Sequence, residues 1–335
     1  MSLTSLGDGS RHFLMRNQGV ALRHRLDGLV SALSSGRATD PVAAMGRDVT
    51  RLATTRSAHG ATEAYGRAAA ETGQRLALMQ TTLGELDGLR EALAEQLVLV
   101  GETSSDGVLS NMGRSAEQGF EAVVSALNRR MGGTALFAGR DGDATALTPP
   151  GEMLDAIRAT LPPQPGAEAL RIAVSDWFDT PEGGFESAGY LGDAEGHATP
   201  RVGAGVTVTL AARADDPAPR TVMKALALAT LAGEAEAMGG AARGALIREA
   251  GTMLLSAASG MTETRAALGA AEATVEATST RHAARATALG LMQNRMTAAD
   301  PYATATALQE IQTQLETHYM LTARLSELSL TRYLR

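Results

Sequence analysis

From Tyr65 to Val100 the apolar positions alternate at spacings of four and three: Tyr65, Ala69, Thr72, Leu76, Met79, Leu83, Leu86, Arg90, Leu93, Leu97 and Val100. That alternation is a heptad seam held for about five repeats, the pattern of a long helix laid against another. Gly101 to Gly107 break it, and Ala116, Phe120, Val123, Leu127 and Met131 predict a shorter helix beyond the break. A second seam runs through Met261, Thr264, Leu268, Ala271, Val275, Thr278, His282, Arg285, Leu289, Met292 and Met296, with a polar middle. Two long seams in a chain that reverses between them pack most simply antiparallel. A final stripe, Leu308, Ile311, Leu315, Tyr319, Leu325 and Leu328, follows Asp300-Pro301. There Asp300 can cap the helix and Pro301 fits its first turn, where no N–H is needed. Asp40-Pro41 repeats the arrangement near the other end, just after a turn at Ser34-Ser35-Gly36.

The middle of the chain reads differently. Nine of the eleven prolines fall between Pro149 and Pro219. Leu170, Ile172 and Val174 alternate with Arg171, Ala173 and Ser175, and Val206, Val208 and Leu210 alternate with Thr207 and Thr209, so both stretches predict strands. Trp177, Phe178, Phe185 and Tyr190 lie between them, and a helix is expected from about Val222 to Leu231.

The pattern as a whole predicts a mainly α fold. N- and C-terminal arms form an elongated, coiled-coil-like antiparallel helical rod, with a small β-rich or mixed domain inserted between them. The expected divisions are an N-terminal assembly segment at 1–40, a helical arm at 41–145, the inserted outer domain at 146–235, a second arm at 236–299 and a C-terminal assembly helix at 300–335. In the seam between the arms, Leu76, Met79, Leu83, Leu86, Leu93 and Leu97 are expected to face Leu268, Val275, Leu289 and Met292. The stripe Leu308–Leu328 is left for an assembly interface.

Composition narrows the chemistry. Among 335 residues 44% are apolar but only 3% are aromatic, which suits helices packed closely on Ala and Leu. The net charge of −7 leaves no basic footprint for nucleic acid or an anionic membrane. The absence of Cys excludes disulfides and thiol chemistry. Met1 to Asp8 carry neither a basic n-region nor an apolar h-region, so no cleavable secretory signal is expected.

Each candidate for catalysis has a plainer reading. No two histidines stand three or four residues apart, so no helical metal pair is formed. His282 reads as a polar, register-setting position on the seam. Gly203-Ala204-Gly205 lacks the third glycine of a dinucleotide fingerprint, and Asp141-Gly142-Asp143 lacks the later ligands of a calcium loop. The carboxylates Asp176, Asp179, Glu182 and Glu186 read as solvated loop charges rather than an acid–base pair. The expectation is no enzyme and no cofactor.

Several motifs, in order at both ends of the chain, carry a resemblance. They are Ala32-Leu33-Ser34-Ser35-Gly36-Arg37, Asp40-Pro41-Val42-Ala43-Ala44, Leu83-Gly84-Glu85-Leu86 and Asn128 to Gly139. On the C-terminal side they are Arg265-Ala266-Ala267-Leu268-Gly269-Ala270, Glu276, Ala299-Asp300-Pro301-Tyr302-Ala303 and Leu328-Ser329-Leu330 with Tyr333-Leu334. On these residues the chain resembles the flagellin superfamily and, within it, the hook–filament junction family, hook-associated protein 3. Leu136-Phe137-Ala138-Gly139 is the segment that favours the junction family over flagellin proper. The likeness covers roughly residues 20–145 and 260–335. The first ten residues depart from the family's Arg-hydrophobic-Ser opening, and Ala273-Thr274 stands where an Asn-Arg pair is usual.

The resemblance implies a structural adaptor of the bacterial flagellum, outside the cell, exported by the flagellar type III route without signal cleavage. It implies self-association in a tubular assembly, with hook-associated protein 1, flagellin and a flagellar export chaperone as partners. It also implies terminal segments that are disordered in the free subunit and helical in the tube; pairing of the two termini within one monomer is the competing expectation. Flagellin itself, or a helical adhesin or secretion-needle component, are the alternative readings.

Overall fold

The computed structural model describes residues 3–40, 49–101 and 103–327, the side chains of 3–9, 11, 12 and 325–327 excepted. In chain order the helices are α1 (Leu3–Ser35), α2 (Val49–Val98) and α3 (Asp106–Leu127). A short hairpin follows, β1 (Arg130–Met131) and β2 (Thr134–Ala135), and then α4 (Pro150–Thr160) and α5 (Ala167–Asp179). A single π turn at Phe185–Gly189 leads to a second hairpin, β3 (Arg201–Gly203) and β4 (Val206–Thr207). The chain continues through α6 (Pro217–Glu234), α7 (Gly240–Ser256), α8 (Ala258–Thr297) and α9 (Pro301–Glu327). Both hairpins are antiparallel, pairing Arg130 with Ala135 and Arg201 with Thr207. The fold is mainly α, as the periodicity predicts.

The chain divides into two compact units, residues 1–63 with 284–335, and residues 64–283. The second unit holds a continuous core. Within it α3 packs on α6, α6 on α7, and α5 on α6. Ala225 to Ala229 of α6 are buried on every side, which a helix achieves only when neighbours surround it. The α3–α6 crossing is built on bare backbone: a Cβ at Gly113 would stand 2.6 Å from Gly233 Cα. Arg243 closes the same region from α7. It is fully buried, and its guanidinium donates to the carbonyls of Ala232 and Gly233, to Ser110 Oγ and to Asp106 Oδ1. The cation therefore satisfies carbonyls at the end of α6 that have no partner within the helix.

Two sequence expectations are corrected in this unit. Residues 170–174 are not a strand but part of α5, because Leu170, Val174, Trp177 and Phe178 recur at helical spacing and are all buried. Ile172, the alternating residue that suggested a strand, is 49% exposed. In the other predicted strand Val206–Thr207 form β4, and beyond it the N–H groups of Val208 and Leu210 donate to Pro200 O and Ala198 O. The inserted segment is therefore mixed, with more helix than strand. Met131 leaves the predicted helical face because α3 ends at Leu127. There Asn128 turns the chain: its side-chain amide donates to Leu147 O at 2.9 Å and its Oδ1 accepts the Leu147 N–H at 2.7 Å.

The segment Leu136-Phe137-Ala138-Gly139 is fixed from within the same unit. The first three residues are buried. Gly139 has φ 69°. A Cβ there would come within 2.3 Å of Asp193 O, so both conformation and space require glycine. Asp141 Oδ1 accepts the N–H groups of Asp143 and Ala144, a plain turn as read from the sequence.

Candidate assembly surface

The C-terminal helix begins as its sequence dictates. Asp300 Oδ1 accepts the N–H of Tyr302 at 2.9 Å and of Ala303 at 3.2 Å, while Pro301 opens the first turn. The equivalent joint at Asp40-Pro41 falls partly outside the described residues, since Pro41 is not among them. Just before it, the end of α1 meets the linker ahead of α9: Ala299 N–H donates to Gly36 O and Ala38 N–H donates to Thr297 O, each at 2.9 Å. Arg37 donates to Asn294 Oδ1 at 3.1 Å. From this clasp α1 and α9 run antiparallel within one unit, Gly19 lying against His318 and Arg23 against Tyr319.

The pair covers only part of the predicted stripe. Ile311 and Leu315 are buried, Leu308 is half-buried and Tyr319 is 49% exposed. Tyr319 is held by Arg23, whose Nε donates to its hydroxyl at 3.1 Å and whose guanidinium lies over its ring. Leu328 and the Leu325 side chain lie outside the described residues, as do Leu330, Tyr333 and Leu334. The expectation that the terminal segments find helical partners only in neighbouring copies is corrected here: α1 and α9 already pair inside a single chain. Their outer faces stay apolar, with Phe13, Leu14, Val20, Met320 and Leu321 exposed.

The interarm residues are placed as follows. Leu76, Met79, Leu83, Leu86, Leu93 and Leu97 of α2 and Leu268 and Val275 of α8 are buried. Leu289 is half-buried and Met292 is exposed, so the outer end of the predicted seam is open. Inside the second unit α2 and α8 are antiparallel neighbours. Tyr65 stacks on His282, a Cβ at Gly73 would touch Val275, and Gln80 donates to Arg265 O at 2.7 Å. His282 bonds outward, its Nε2 donating to Val202 O of β3 at 2.8 Å.

Residues 252–334 match the bacterial flagellin C-terminal helical region. The match covers about a quarter of the chain and is a likeness of that region. It spans the end of α7, all of α8 and α9, and so contains the second seam and the final stripe. No curated protein matches the chain.

Of the four carboxylates singled out in the middle segment, Asp179 and Glu186 are held in ion pairs. Asp179 pairs with Lys224, the chain's single lysine. Glu186 accepts the Glu182 N–H at 3.0 Å and pairs with Arg220 at 3.3 Å. The Glu182 N–H above all, helped by Arg220, holds the Glu186 carboxyl below its ordinary range against the opposing effect of burial. Tyr190 and Asp215 nearby are pushed up, chiefly by burial. Among the described residues no cluster of His, Cys, Asp and Glu has the spacing to hold a metal, and no helix is long and apolar enough to cross a membrane. Sequence reasoning missed the structural roles of Arg243 and Asn128. An Arg set among Ala and Gly at the start of α7 and an Asn at a helix end were the available signals.

Proposed function

We propose that the protein is a structural subunit of the bacterial flagellum that joins hook to filament, a hook-associated protein 3, working outside the cell without catalysis. The observation that carries this reading is the ordered set of motifs at both ends, with Leu136-Phe137-Ala138-Gly139 closing the first arm. The flagellin-type match over residues 252–334 supports the flagellar half of it. Apolar residues left open on α1 and α9 supply the surface that self-association in a tube requires. In this reading the neighbours are further copies, hook-associated protein 1 and the first flagellins. An export chaperone covers the C-terminal helix before secretion.

A second reading, flagellin itself, is favoured by the match, which is to flagellin. Imaging a tagged protein on the assembled appendage separates the two. A short band at the hook tip is the expected result; label along the whole filament would overturn the junction assignment in favour of flagellin.

A further inference from the structure

Between α1 and α9 lies an open groove of about 540 Å³, in the size range that receives several side chains of a ligand. Phe13, Val20 and Tyr319 give it an apolar lining, and Phe13 is 67% exposed. Its floor is low because Gly19 lies under His318, where a Cβ would stand 3.0 Å from the ring. Arg16 and Arg23 line it as well, and none of the lining residues is a carboxylate. Arg23 is engaged with Tyr319, whereas Arg16 is exposed and holds no ion pair among the described residues. An apolar floor flanked by cations, on a chain of net charge −7, is a local reversal of the molecule's field.

We propose that this groove receives an acidic amphipathic helix of a partner protein, its apolar face against Phe13 and Val20 and its carboxylates toward Arg16 and Arg23. The proposal rests on reading α1 and α9 as the interaction surface. A helix laid in a groove uses apolar anchors for affinity, and flanking charges select the partner's sign. Polyanions and anionic membranes are disfavoured, because two arginines must act against the acidic remainder of the chain. A second copy docking two-fold through the same groove would bring Arg16 and Arg23 against their own equivalents, like charge on like.

The test titrates the full chain into two labelled peptide helices with identical leucine faces, one carrying glutamates on the other face and one lysines. The glutamate peptide is expected to bind, to weaken with added salt, and to lose about fivefold in affinity with Arg16→Glu while keeping it with Arg16→Lys. Equal binding of the lysine peptide, no binding of the glutamate peptide, or indifference to Arg16→Glu would each overturn the proposal. Sedimentation of the chain alone runs beside it, and self-association abolished by Arg16→Glu would give the groove to a second copy instead. Far-UV circular dichroism checks each variant's helicity, and Phe13→Ser provides a second loss of binding should Arg16→Glu fail to fold. Failure here leaves the hook-tip localisation untouched, and that is imaged separately.

Discussion

The two units of this chain bury their apolar residues to very different degrees. The unit of residues 64–283 holds the continuous core, from Ala69 through Val275, with Phe120, Phe137, Phe178 and Phe185 fully enclosed. The unit of residues 1–63 and 284–335 buries Ala32, Leu52, Ile311 and Leu315 but leaves Phe13, Leu14, Leu291, Tyr302 and Met320 open. Burial of apolar area is the main favourable contribution to folding, so the first region has ample stability of its own and the second is thinly held. An amphipathic helix with half its apolar face uncovered is marginal alone and gains most from a partner. The contrast between the units is one of burial: one region encloses its apolar side chains, and the other leaves them at the surface, where the proposed assembly would use them.

The sharpest way to break the comparison is to damage the enclosed region. Leu83→Ala with Leu93→Ala removes two buried side chains, at a cost of roughly 2–5 kcal/mol each. Thermal melting of the free chain should fall steeply. A shift no larger than that of an exposed substitution would mean that the α2 seam is not the core described. A smaller but clear loss, about 1–3 kcal/mol, is expected from Gly113→Val, because the new side chain must push α3 off α6. Chemical denaturation reads it, and an unchanged midpoint would contradict the close crossing. Phe13→Ser in the open region should change monomer stability by no more than about 0.5 kcal/mol. Under the proposed junction role, its effect should appear in assembly, as failure to incorporate at the hook tip. Normal incorporation would show that the open apolar surface of α1 has no such task.

The helices were legible in the sequence, since they announce themselves by period, whereas the boundaries between the two units, near residues 63 and 284, were not. The α2 seam and the cap at Asp300-Pro301 follow directly from residue spacing, because burial and backbone hydrogen bonding there are local matters. Leu170, Ile172 and Val174 misled, since three alternating residues also fit one turn of a helix; Trp177 and Phe178 on the same face were the discriminating signal. The Arg243 clamp was not legible, because its partners lie more than a hundred residues away at Asp106 and Ser110, and also at the end of α6. The pairing of α1 with α9 was legible only as the competing expectation. A stripe such as Ile311–Leu315 states that it will be covered, and three-dimensional structure alone states by what.

Limited proteolysis of the free, full-length chain, followed by mass analysis of the fragments, tests the central claim most directly. The thinly held region should be cut first, from both ends, in α1 and in α9 beyond Pro301, while residues 64–283 persist as a resistant, folded fragment. Cleavage beginning inside residues 64–283, or α1 and α9 resisting as long as the seam around Leu83, would contradict the contrast between the two units.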